Sequence, residues 1–68
     1  MIGRLIWNQD RPDIVFDTGT LYGGLHCGDC FACWLDGRWL DVRLFVALRV
    51  SHPLLGDLPQ QHLREALV

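Results

Sequence analysis

The residues with the most chemistry in this chain sit together: His26-Cys27-Gly28-Asp29-Cys30-Phe31-Ala32-Cys33, a C-x-x-C-x-x-C run with a histidine directly in front. All three cysteines of the 68-residue sequence lie in this window. Thiolates at such spacing are typical ligands of a structural Zn²⁺, which takes four donors in a tetrahedron with Zn–S near ~2.3 Å. Cys27-Gly28-Asp29-Cys30 reads as a tight turn or zinc knuckle that brings two sulfurs together, with Gly28 supplying the positive φ. The backbone N–H groups of that turn could donate to the thiolates. Cys33 is ambiguous. A regular strand from Cys30 onward sends it to the opposite face as a small buried hydrophobe, whereas a bulge or a turn at Cys30 lets three sulfurs converge. The expected ligands are Cys27, Cys30, Cys33 and His52, the last because it ends a long strand and could fold back. His26, His62, Asp29 or a donor from a second subunit are the alternatives for the fourth position.

Other chemistries fit less well. A redox C-x-x-C opens a helix in a βαβ setting, and no such setting is visible, so a dithiol redox protein is a remote alternative. Catalytic zinc needs an open coordination position and a general base, yet thiolate-rich sites are closed and the only glutamate is Glu65. Ser51, the single serine, is adjacent to His52 rather than arrayed with it. Gly23-Gly24 lacks the helix and lysine of a phosphate loop. Asp10, Asp13, Asp17, Asp36 and Asp57 sit where turns and caps are expected. The expectation is a protein that is not an enzyme.

Charge and size narrow the partners. There are six Lys+Arg, all of them arginine, against eight acids, for a net charge of −2. A weakly acidic chain without a basic block is poorly suited to direct nucleic-acid binding. No apolar run approaches the ~20 residues of a membrane helix, and the N-terminus has no signal-peptide pattern. A cytoplasmic location is the default expectation, and there metal or free thiols are favoured over disulfides. Half the residues are hydrophobic, including three Trp and three Phe, which argues for a packed core. A core this small commonly needs a metal, disulfides or a partner subunit.

The elements that would position the cysteines read mainly as strands. Gly3 to Trp7 is a first strand, Asn8 to Asp13 a loop, Ile14 to Phe16 a short β-prone run and Asp17 to Thr20 a turn. Leu21 to Cys27 can be a strand loosened at Gly23 and Gly24. Phe31–Leu35 and Arg38–Val50 are the best strands, joined by Asp36-Gly37, a two-residue hairpin signal. That turn sets a register: Leu35 faces Arg38, Trp34 faces Trp39, Cys33 faces Leu40, Ala32 faces Asp41 and Phe31 faces Val42. Alternation puts Phe31, Cys33, Leu35, Leu40, Val42 and Leu44 on a core face. It puts Trp34, Trp39, Asp41 and Arg43 on the other. Those four are the candidate partner-binding residues, since Trp and Arg dominate binding hot spots; the bland alternative is a surface ion pair between Asp41 and Arg43 beside a tail-covered Trp pair. Ser51-His52-Pro53 ends the strand region. Asp57-Leu58-Pro59-Gln60 then resembles a helix start with Asp57 as N-cap, and Leu58, Leu63, Ala66 and Leu67 could form its apolar stripe.

Gly3-Arg4-Leu5, Asn8, Leu25-His26-Cys27-Gly28, Asp36-Gly37, Trp39 and Arg43 resemble the pattern of a family of small uncharacterised domains of Gram-positive bacteria, their phages and mobile elements. The resemblance covers about residues 3 to 45. Its pattern has one cysteine, at Cys27; Cys30, Cys33 and the tail after Phe45 depart from it. Small acidic single-domain proteins of mobile elements also look like anti-CRISPR inhibitors, which bind effector nucleases and commonly lack enzyme activity. The sequence thus predicts an α+β fold that is mainly β, a small antiparallel sheet or partly open barrel over residues 1–50 with a C-terminal helix over 57–68, stapled by zinc. The expected function is inhibition of a host protein, a CRISPR effector nuclease being the specific candidate. The alternatives are a zinc-knuckle nucleic-acid module and the dithiol protein.

Overall fold

The structure is a computed structural model in which residues 1–7, 11–45 and 49–68 are described. Its organising turn is Asp36-Gly37. Both residues have positive φ, 53° and 79°, the geometry whose twist matches the strands of a two-residue hairpin. The turn joins β3 (Cys30–Leu35) to β4 (Arg38–Phe45). Their register is the one the sequence predicts, from Leu35↔Arg38 through Phe31↔Val42, extended by Cys30↔Arg43.

Around this hairpin lie β1 (Ile2–Trp7), β2 (Pro12–Val15), β5 (Arg49–His52), β6 (Gly56–Asp57) and β7 (Glu65–Leu67), with a 3₁₀ turn at Gln60–His62. The seven strands form one sheet in the order β2-β1-β7-β3-β4-β5-β6, and every pairing is antiparallel.

Three sequence expectations are corrected here. The expected α+β class with a helix over 57–68 is wrong: the described residues contain no α-helix, and the fold is all-β. Asp57 does not cap a helix but pairs with Ser51 in β6, and its carboxylate meets Arg49 Nη1 at 3.3 Å. The tail ends as β7, which slots between β1 and β3 with Gly3↔Ala66 and Cys33↔Ala66. A short helix interrupted by Pro59 would have been marginal alone, whereas a strand in that gap is bonded on both sides and covers two sheet edges at once. Second, Arg38–Val50 is not one strand. Phe45 pairs with Arg49, so the chain reverses between them; residues 46–48, like Asn8, Gln9 and Asp10 of the expected first loop, lie outside the described residues. Third, Leu21 to Cys27 makes no regular strand. It follows the β2 edge through one Val15↔Leu21 bridge and the bonds Tyr22 N–H to Ile14 O and Leu25 N–H to Pro12 O, both 2.8 Å. The buried Asp13 carboxylate adds a tether by accepting from Gly23 N–H at 3.1 Å.

The core lies on one face of this sheet. Leu5, Ile14, Phe31, Cys33, Leu40, Val42, Leu44, Val50 and Ala66 from the strands join Phe16, Leu25 and Leu63 from the connections in one buried cluster. No second layer of secondary structure covers that face among the described residues, so the sheet and the segment containing Phe16 and Leu25 enclose it together. The last strand brings the termini side by side: Val68 N–H donates to Met1 O at 2.9 Å. Among the described residues no helix is long and apolar enough to cross a membrane.

Candidate functional site

The cysteine run does not assemble as a metal centre. Cys30 already belongs to β3 and pairs with Arg43, so alternation sends Cys30 and Cys33 to opposite faces. Cys33 points into the core beside Leu40 and is 0% exposed. Cys27 and Cys30 are exposed free thiols. The amides that might have cradled a thiolate are taken: Gly28 N–H donates to Leu44 O at 2.7 Å and Asp29 N–H to His26 O at 3.0 Å. Cys30 Sγ instead lies 3.7 Å from Gly28 O as a thiol donor.

The histidines and Asp29 are also engaged elsewhere. His52 Nδ1 accepts from Leu54 N–H and Leu55 N–H, each at 3.1 Å, in the β5–β6 turn. His26 Nε2 lies 2.7 Å from Arg11 Nη1, the Asp29 carboxylate accepts from His26 N–H at 2.8 Å, and His62 sits in the 3₁₀ turn. Among the described residues no group of three or more His, Cys, Asp or Glu is gathered closely enough to hold an ion. The expected zinc staple on Cys27, Cys30, Cys33 and His52 is therefore corrected: these residues do not fit the group. Burial pushes the Cys33 thiol from 9.0 up to about 12, so it is a packing residue that stays protonated at neutral pH.

The four candidate partner residues are brought together. On β4, Leu40, Val42 and Leu44 are buried while Trp39, Asp41, Arg43 and Phe45 face outward. Trp34, opposite Trp39 in the ladder, meets it edge-to-face with ring centroids 5.3 Å apart and planes at 71°. Trp34 is left 41% exposed, and Trp39 is half-buried. Asp41 and Arg43 do not pair with each other: the ion pairs among the described residues are His26–Asp29 and Arg49–Asp57. Both charges are exposed and stand beside small neighbours. Ala32 is opposite Asp41, Cys30 is opposite Arg43, and Ser51 flanks Arg43 from β5. An open groove of about 630 Å³ lies there, with Phe45 and Leu67 also in its lining. Phe45, 39% exposed, is the member that the sequence reading missed. Its parity with Trp39, Asp41 and Arg43 was the available signal.

An all-β antiparallel domain with one sheet face in the core and an aromatic, two-signed row on the other is the class of protein these observations define. The chain belongs to the family described as "Domain of unknown function (DUF5348)", which it matches over residues 3–47; this agrees with the resemblance to small uncharacterised domains. It is also similar to a protein from Ruminococcus gnavus solved by crystallography in a structural genomics programme, with 28% identity, a TM-score of 0.76 and all of both chains covered. No curated protein matches it.

Proposed function

We propose that this chain is a non-enzymatic interaction domain that docks a protein through the outward row of β4 and the Trp pair. One observation carries this reading: exposed Trp34 and Phe45 and half-buried Trp39 surround two charges that have no ion-pair partner among the described residues. Aromatic residues and arginine are the side chains enriched where protein interfaces bury their centres. Asp41 beside Arg43 in the row, and a net charge of −2, favour a protein over a polyphosphate. The narrower form of the reading is an inhibitor from a phage or mobile element of a Gram-positive host. It would act in the cytoplasm by seating this face on a CRISPR effector nuclease and occluding its nucleic-acid channel. Small size and acidity support that form, since acidic surfaces are steered to basic ones.

The test measures binding of the purified chain to purified effector nucleases, with target cleavage followed in parallel. Trp39→Ala is expected to weaken the complex about thirtyfold, the equivalent of ~2 kcal/mol at a hot spot, and to restore cleavage. Absence of binding across effector types removes the nuclease. A steeply salt-dependent shift of labelled single-stranded nucleic acid by the chain alone would replace the whole reading with the nucleic-acid module.

A further inference from the structure

The outward row of β4 reads Trp39, Asp41, Arg43, Phe45. About its midpoint at Val42 it is symmetric in kind and opposite in charge: aromatic, acid, base, aromatic. We infer that the partner this row fits first is a second copy of the same chain, in a two-fold dimer with the two outer faces packed together. This deepens the proposed function and rests on its assignment of the face as an interaction surface.

The geometry follows from elementary symmetry. Two sheets can meet face to face across a two-fold axis lying in the interface plane. If that axis runs along the strands, each residue of β4 meets its own copy, and Asp41 and Arg43 each face a like charge. If it runs across the strands at the level of Val42, the β4 strands are antiparallel. Asp41 then faces the second copy's arginine and Arg43 its aspartate. Trp39 in turn faces the copy's phenylalanine and Phe45 its tryptophan. Only the second arrangement pairs both charges of the row, so the row selects one orientation against the other, which is how like-charge juxtaposition sets register.

Packing permits this contact. Residues 39 to 45 span about 20 Å of strand, and aligned sheets cross at only about 30°, so both charge pairs stay within reach of the axis. Ala32, Cys30 and Ser51 beside the charges are small, and the groove of about 630 Å³ gives the copy's side chains room. A standard interface of about 800 Å² per partner would cover under a fifth of the 4531 Å² surface.

The inference is tested by sedimentation equilibrium and light scattering from about 1 µM to about 1 mM, the span of weak to moderate association. The wild-type mass is expected to rise from 7.8 kDa toward twice that value, with an association constant that falls as salt is raised. Asp41→Arg and Arg43→Asp each place like charges at both contacts and should weaken association about tenfold or more. The double variant Asp41→Arg/Arg43→Asp restores the pattern in reverse and should return association to within about threefold of wild type. All these side chains are exposed, and circular dichroism confirms that each variant is folded. A wild type that is monomeric throughout, single variants that associate normally, or a double variant that fails to recover each overturns the dimer. If the wild type is monomeric but Trp39→Ala still releases a foreign protein, the dimer alone falls. If no association of any kind responds to this row, the interaction surface falls with it.

Discussion

Gly3→Ala is the substitution that most directly tests the packing of β1 on β2. Gly3 lies in β1, opposite Ala66 of β7, in extended backbone that does not require glycine. By conformational entropy alone, alanine would stabilise the chain there by about 0.4–1 kcal/mol. Packing reverses the sign. A Cβ at Gly3 would stand 2.5 Å from Ile14 Cγ2, 2.9 Å from Phe16 Cδ1 and 2.9 Å from the Val15 carbonyl oxygen. Ile14 is 0% and Phe16 8% exposed, so neither side chain can swing into solvent, and the carbonyl is backbone. Overpacking of this kind costs about 1–3 kcal/mol, which leaves a net loss of about 1–2 kcal/mol. In a domain of this size that lowers Tm by about 5–15 °C and the urea midpoint by roughly 1–2 M. Ile14→Leu removes the offending Cγ2, so in a double-mutant cycle Gly3→Ala should cost measurably less in that background. Equal stability of Gly3→Ala and wild type, or no coupling to Ile14→Leu, would refute the packing of β1 on β2.

The thiols give the other expectations. Cys27→Ser and Cys30→Ser, both at exposed positions, should each change stability by no more than about 0.5 kcal/mol, and exhaustive chelation should leave Tm unmoved. Cys33→Ser places a hydroxyl in the core and should cost about 1–3 kcal/mol in urea titrations. A thiol-specific chromogenic reagent should find two reactive groups in the folded protein and the third only on unfolding. The buried Cys33 thiol also sets a pH dependence. Because burial raises its folded value from 9.0 to about 12, the folded state holds that proton more tightly than the unfolded chain. The stabilisation is complete below pH 9.0 and is lost as pH climbs toward about 12. Stability measured across that window should fall steeply in the wild type and less steeply in Cys33→Ala; parallel curves would show that Cys33 is not the titrating group.

The part of the fold that was legible is the part fixed locally. Asp36-Gly37 carries its own backbone preference, and once it is placed, every pair from Leu35↔Arg38 to Cys30↔Arg43 follows. The tail was illegible because its structure is decided far away in sequence. Glu65-Ala66-Leu67 has no strong strand preference, but Gly3 and Cys33 offer Ala66 backbone partners on both sides, and such tertiary context overrides propensity. The reversal between Phe45 and Arg49 was hidden for a related reason. Leu44, Phe45, Arg49 and Val50 continue one β-prone pattern, with no Gly, Pro or Asn to mark the break.

The candidate site turned on parity. A spacing motif counts residues, whereas a strand sorts them by odd and even. Three positions separate Cys30 from Cys33, so a strand that begins at Cys30 must divide them, and the metal reading needed a turn or bulge there that pairing with Arg43 precludes. Two positions separate each member of Trp39, Asp41, Arg43 and Phe45, so the same rule that dissolves the cysteine cluster assembles this row. The consequence reaches energetics. Cys33 contributes as a core hydrophobe, and β7 rather than an ion joins the halves of the sheet. On the outward side of β4, Asp41, Arg43 and Phe45 are exposed and lie outside the buried cluster. Side chains outside the core, aromatic and charged in an order that is its own antiparallel complement, are the ones to which binding is most economically assigned.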